Sequence, residues 1–168
     1  MGEIISRMGM FVVVYLAIQL SILLHELGHA AACKYVTGMN DWKIDVGMGP
    51  AIIATRHYNI RLLAIGGLCH HNYKKTLTPS EEILITIAGP LVTIGFFLLC
   101  VLVREKLNVS EEVFYILKIV EIYNGFTAIL GLLPLKFQFK GGYLHKMDGY
   151  KILEELCLIW REHKVIWI

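Results

Sequence analysis

The chain has 168 residues, 56% hydrophobic and only 18% charged, with a mean hydropathy of +0.59 and a formal net charge of +2. Soluble domains carry about 25% charged residues, so this composition excludes an ordinary water-soluble globule. So small a net charge offers no basic face for nucleic acid, and the lipid bilayer is the first partner it implies.

Charge-poor apolar runs predict three transmembrane helices, at about 8–36, 83–103 and 113–135. The first is too long for a secretory signal. It leads straight into His25-Glu26-Leu27-Gly28-His29, an HExxH motif. Histidines at i and i+4 share one helical face, so both imidazoles can reach a single Zn²⁺ while Glu26 reaches the attacking water. A random chain of this composition would contain the pattern with a probability on the order of 2%, so the motif alone does not decide. Its placement does, because two histidines and a glutamate in a lipid-buried helix are costly unless functional.

Thr37-Gly38-Met39-Asn40 ends the first span, with Gly38 a C-cap. The β-branched, glycine-punctuated stretch 42–73 predicts two or three strands, with turns at Gly47–Pro50 and near Tyr58-Asn59. Unpaired backbone is not tolerated against lipid, so such a sheet needs a reason, and one is to offer an edge strand through Gly66-Gly67 to an extended substrate. Thr78 or Ser80 caps the second span, and Ala88-Gly89-Pro90 is expected to interrupt it. The third span carries Lys118 and Glu121, read as a neutralising pair, then Asn124. A loop from Lys136 to Lys146 leads to Met147-Asp148-Gly149 and an amphipathic segment at about 149–161, which has too many charges to span and should lie at the interface. At 1.5 Å per residue, His25, Pro90 and Asn124 all lie roughly 10–16 Å from the same membrane face.

Arg7, Arg104 and Lys106 fall on one side of this topology. Lys43, Arg56, Arg61, Lys74, Lys75, Lys136, Lys140, Lys146, Lys151, Arg161 and Lys164 fall on the other, which the positive-inside rule places in the cytoplasm. The expectation is a multi-pass protein of a prokaryotic cell membrane, N-terminus outside and site toward the cytoplasm. Cys33, Cys69, Cys100 and Cys157 form no CxxC pair and read as structural. A catalytic zinc needs a third protein ligand. The candidates are Asp148, His145, Asp41, Asp45, His70 and His71; the two early aspartates sit near the surface, His70-His71 suit a surface or substrate-edge position, and His145 and Asp148 both stay open.

The ordered set His25-Glu26-Leu27-Gly28-His29, Ala88-Gly89-Pro90-Leu91, and Asn124 with Leu133-Pro134 and Met147-Asp148-Gly149 resembles the site-2 protease family of intramembrane zinc metalloproteases. Gly47-Met48-Gly49-Pro50 and Ile65-Gly66-Gly67 match that family's membrane-associated hairpin, so the likeness covers nearly the whole chain. It departs where Leu135 to Met147 separates the proline from Asp-Gly, where Ile65 replaces a proline, and where Thr93 replaces an asparagine. The resemblance implies one catalytic Zn²⁺ held by His25, His29 and Asp148, with Glu26 as general base and Asn124 hydrogen-bonding the substrate backbone or the developing oxyanion. The implied substrate is a transmembrane protein or peptide precursor cut in or next to its membrane segment. The fold expected is an α-helical integral membrane protein, a single protease domain over 1–168, with three core helices, a small membrane-associated β-hairpin and a C-terminal interfacial helix. No PDZ-like domain is expected between Arg104 and Glu112, and no nucleotide-sensing domain is expected after the core. The rival reading is a non-catalytic membrane metal carrier or an inactive protease-like scaffold; Glu26 argues against it, since a carrier has no need of that carboxylate.

Overall fold

A computed structural model describes residues 2–38, 40–71, 76–138 and 144–165. The last two positions of the expected β-rich insertion (72–73), Lys74, Lys75, Lys140 and Gly141-Gly142 lie outside the described residues. Three helices are long and apolar enough to cross a membrane: α1 (Gly2–Thr37), α2 (Pro79–Lys106) and α3 (Glu111–Leu132). Between α1 and α2 lie two long strands, β1 (Trp42–Ala54) and β2 (Tyr58–His71). After α3 come the short strands β3 (Lys136–Gln138) and β4 (Leu144–Lys146), then α4 (Asp148–Val165). The protein is an integral membrane protein whose apolar helical faces are left open for lipid.

The helices α2 and α3 begin where the sequence satisfies their free N–H groups. Thr78 caps α2 in a reciprocal box, its hydroxyl accepting from Glu81 N at 3.3 Å while the Glu81 carboxylate accepts from Thr78 N at 2.9 Å. Ser110 caps α3, and each of these helices carries two glutamates in its first turn. The expected interruption at Ala88-Gly89-Pro90 does not occur. α2 runs unbroken from Pro79 to Lys106, since a proline inside a membrane helix loses one hydrogen bond that packing against neighbours can offset, and Pro90 is fully buried.

The helices run antiparallel in sequence. Gly28 lets α1 and α2 touch backbone to backbone: a Cβ there would lie 2.7 Å from the Ala88 carbonyl oxygen. At the far end of α2, Arg104 Nε donates to Glu121 Oε2 at 2.9 Å and Lys118 Nζ to Glu121 Oε1 at 3.1 Å, so the buried Glu121 ties α2 to α3 through an arginine as well as through its own helix neighbour.

β1 and β2 pair antiparallel with several register shifts, and residues 44–46 have partners on both edges, at 58–60 and at 67–69. That middle segment is the sheet's core. Ile44 and Val46 are 0% exposed and pack with Ile22 and Ala30 of α1. The turn between the strands falls at 55–57, and Gly47–Pro50 makes a bulge inside β1 instead of a turn, with Gly47 and Gly49 both at positive φ. The sheet reaches far along the first span: Tyr15 OH donates to the Leu62 carbonyl at 2.6 Å and Gln19 Nε2 to that of Arg61 at 2.8 Å. Residues 15 and 25 are about 15 Å apart along a helix, so strand backbone at this depth is satisfied by side chains of α1.

The loop expected between Lys136 and Lys146 is a small hairpin. β3 pairs with β4, and Met147 N donates to the Leu135 carbonyl at 3.0 Å, so the ends of the insertion meet and Met147-Asp148 follows Leu135 in space. Because α1 and α2 touch over backbone at Gly28, Gly28→Ala should lower stability by roughly 1–3 kcal/mol through overpacking. Gly95→Ala, where a Cβ would meet nothing within 4 Å, should not. Thermal unfolding of the two variants in detergent, side by side, checks this.

Candidate metal centre

Four elements bring the polar residues together. His25 and His29 lie one turn apart on α1, with Nε2 atoms 3.1 Å from each other. The N-terminus of α4 adds Asp148, whose Oδ2 lies 3.3 Å from His25 Nε2 and 3.4 Å from His29 Nε2. Among the described residues these three form the one group whose ligand atoms all fall within 4.8 Å of one another.

The far side of each ring is held by α2. His29 Nδ1 donates to the Ile85 carbonyl at 2.9 Å. Thr93 donates its hydroxyl to the Gly89 carbonyl at 3.3 Å, and its oxygen therefore accepts from His25 Nδ1 at 2.8 Å. With both Nδ1 atoms protonated, the Nε2 atoms present lone pairs to each other and to a carboxylate oxygen. Three acceptors at this spacing repel, and a cation between them turns repulsion into binding. Ligands at about 2.0–2.2 Å in tetrahedral directions lie roughly 3.3–3.5 Å apart, close to the separations seen, and two imidazoles with one carboxylate form a donor set of catalytic zinc sites. The residues therefore fit zinc.

Absent side chains make the rest of the geometry possible. A Cβ on Gly89 would sit 2.2 Å from His29 Nε2, and one on Gly67 would sit 2.6 Å from Glu26 Oε1. A Cβ on Gly149 would lie 2.0 Å from the Leu132 carbonyl oxygen, so only glycine after Asp148 lets α4 seat against the end of α3. Glu26 is buried beside Gly67, and both border a cavity of about 370 Å³ that also reaches Asn124, Thr127 and Lys151.

Asn124 is 1% exposed, and its Nδ2 donates to the Val120 carbonyl at 2.8 Å and to Ser21 Oγ at 3.0 Å. Its Oδ1 has no partner among the described residues, so this side chain has an acceptor to spare and no spare donor. Gly66, Gly67 and Leu68 line the cavity from the last part of β2. That part pairs with β1 along one edge, since Gly67 opposes Val46 and His71 opposes Trp42.

The remaining candidates divide. His145 lies on β4 opposite Phe137 and reaches the cavity wall, but it is not in the three-atom group. Asp45 is bound within the sheet, by Asn59 Nδ2 at 2.5 Å and His70 Nε2 at 3.0 Å, and Asp41 is exposed. His71 lines the cavity, and burial above all pushes its imidazole down to about 4, leaving it neutral at physiological pH. Cys69 also borders the cavity, and burial pushes its thiol up to about 12. All four cysteines are free.

Sequence reading gave no role to the Ile85 carbonyl, to Ser21 or to Lys151, whose Nζ lies 3.0 Å from Asp148 Oδ1, and singled out Thr93 only as standing in place of an asparagine. Thr93 had a signal, four residues after Gly89 on the face toward α1; a backbone carbonyl partner has none. Gly89→Ala should weaken zinc binding by roughly 10–100-fold, the usual effect of disturbing a ligand's support, although Gly89 offers no ligand atom. Metal analysis after dialysis against a graded chelator checks it.

The chain is similar in structure to the site-2 protease from Methanocaldococcus jannaschii, with 23% sequence identity and a TM-score of 0.49, covering 86% of this chain and 54% of that one, about half its length. No curated protein gives a significant match. The model of peptidase family M50 matches residues 13–147, from within α1 to the residue before Asp148. The chain therefore belongs to peptidase family M50, the membrane metalloproteases of the site-2 protease type.

Proposed function

We propose that this protein is a zinc endopeptidase that hydrolyses a peptide bond in or beside the membrane segment of a transmembrane protein or peptide precursor. The observation that carries this is the convergence of His25 Nε2, His29 Nε2 and Asp148 Oδ2 beside the buried Glu26, in a cavity bordered by the last part of β2. In this reading His25, His29 and Asp148 hold the ion, and Asp148 is preferred to His145 because its oxygen lies within 3.4 Å of both imidazoles. A bound zinc ion supplies Lewis acidity, polarising the scissile carbonyl and acidifying water.

The chain's own residues do the rest. Glu26 takes the proton of the attacking water and passes it to the leaving amine. Its seat against Gly67 places the carboxylate next to the strand along which the substrate would run. A substrate helix cannot be cut while its backbone bonds internally, so an extended stretch has to be stabilised in another way. The strand at Gly66-Gly67 offers backbone partners for it, as in other β-strand additions. The spare Asn124 Oδ1 accepts a substrate N–H; a donor role toward the oxyanion would require its bond to Ser21 or Val120 to be exchanged.

The orientation follows from charge. The end of the bundle holding the site also holds Lys43, Arg56, Lys136, Lys146, Lys151 and Arg161, against Arg104 and Lys106 at the other, so we place the site toward the cytoplasm of a prokaryotic cell.

Glu26→Gln keeps the donor set and removes the base: cleavage of a co-expressed membrane substrate should fall by at least about 100-fold while zinc stays bound. Cleavage that survives this change would sink the hydrolytic mechanism. Asp148→Ala should lose zinc and His145→Ala should keep it, as read by metal content; the reverse pattern would move the ligand to β4.

A further inference from the structure

We propose that Lys151 is a positioning residue for the metal-binding carboxylate, holding Asp148 so that one oxygen only faces the two histidines. The inference rests on the metal-site reading above. A carboxylate can turn either oxygen, or both, toward a cation, and the second oxygen would fill the position that a catalytic site keeps open for water and substrate. In this protein the two oxygens are divided. Oδ2 lies 3.3 and 3.4 Å from the histidine nitrogens, and Oδ1 lies 3.0 Å from Lys151 Nζ. A charge-assisted hydrogen bond is roughly twice as strong as a neutral one, enough to bias rotation of a carboxylate that has few other partners.

Three features keep Lys151 on this task. It stands three residues after Asp148 on the first turn of α4, so both side chains leave the same face. Gly149, between them, is pressed against the Leu132 and Leu133 backbone, so the turn that carries the pair has little room to shift. Of the two glutamates one turn further on, Glu154 is taken by Lys146 Nζ at 2.6 and 2.8 Å. Lys151 also borders the cavity and is half-exposed, so it does not fill a hole whose loss would unfold the chain.

The test is the visible spectrum of the full chain in detergent, loaded with Co²⁺ in place of zinc. Four-coordinate cobalt absorbs far more strongly than five-coordinate cobalt. Lys151→Met should lose the strong four-coordinate absorption as Asp148 turns both oxygens inward, and Lys151→Arg, which keeps a charged donor, should retain it. Lys151→Ala is a second neutral variant with the same expected loss, and thermal unfolding of the metal-free proteins shows that both remain folded. Spectra of Lys151→Met and Lys151→Ala superimposable on the parent would overturn the role of Lys151. If the parent takes up no cobalt, or Asp148→Ala leaves the spectrum unchanged, the ligand assignment falls and this proposal with it. A spectrum altered by Asp148→Ala but not by either lysine variant overturns this proposal alone.

Discussion

Two imidazole nitrogens and a carboxylate oxygen within 3.4 Å of one another form a donor set that could hold a metal ion. Much of the fold around them reads as a means of enforcing that approach. Gly28 draws α1 onto α2, close enough for the Ile85 carbonyl and the Thr93 hydroxyl to hold the two rings by their far nitrogens. Gly89 removes the side chain that would strike His29, and Gly149 removes the one that would keep α4 from the end of α3. Each glycine here is a space left empty, and in each case the neighbour is a histidine ring or a backbone carbonyl that has little freedom to yield.

The sheet answers a different constraint. Strand backbone at membrane depth must find hydrogen bonds within the protein. Residues 44–46 of β1 do so by pairing on both sides, and residues 61–62 of β2 do so through Gln19 and Tyr15, polar residues that an apolar span would otherwise have no reason to carry. The stretch at Gly66-Gly67 runs beside Glu26 and the cavity. One part of β2 is thus satisfied by side chains of α1, and the part that follows it forms a wall of the cavity.

Much of this was legible in the residue order. Hydrophobic runs mark the three membrane helices because lipid imposes a length and a composition, and HExxH marks its own geometry because spacing within one helix is rigid. Thr78 and the glutamates after it announce the start of α2 because a cap acts through residues three positions away. Pro90 misled, since the sequence shows a lost hydrogen bond and does not show the neighbours that make the loss tolerable.

What the chain alone determined is therefore local: helix lengths, caps, the facing pair of histidines and the neighbouring glutamate. The third member of the site depended on contacts between parts distant in sequence. His145 and Asp148 are three residues apart and chemically equal candidates, and only the closure of β3 on β4, with Met147 bonded to Leu135, turns the aspartate inward and leaves the histidine at the wall. The partners of the rings, a threonine 68 residues from His25 and a main-chain carbonyl 56 residues from His29, likewise belong to the packing of α1 on α2. Short-range periodicity carries no record of which distant backbone will come within 3 Å, and the tertiary structure alone made that choice.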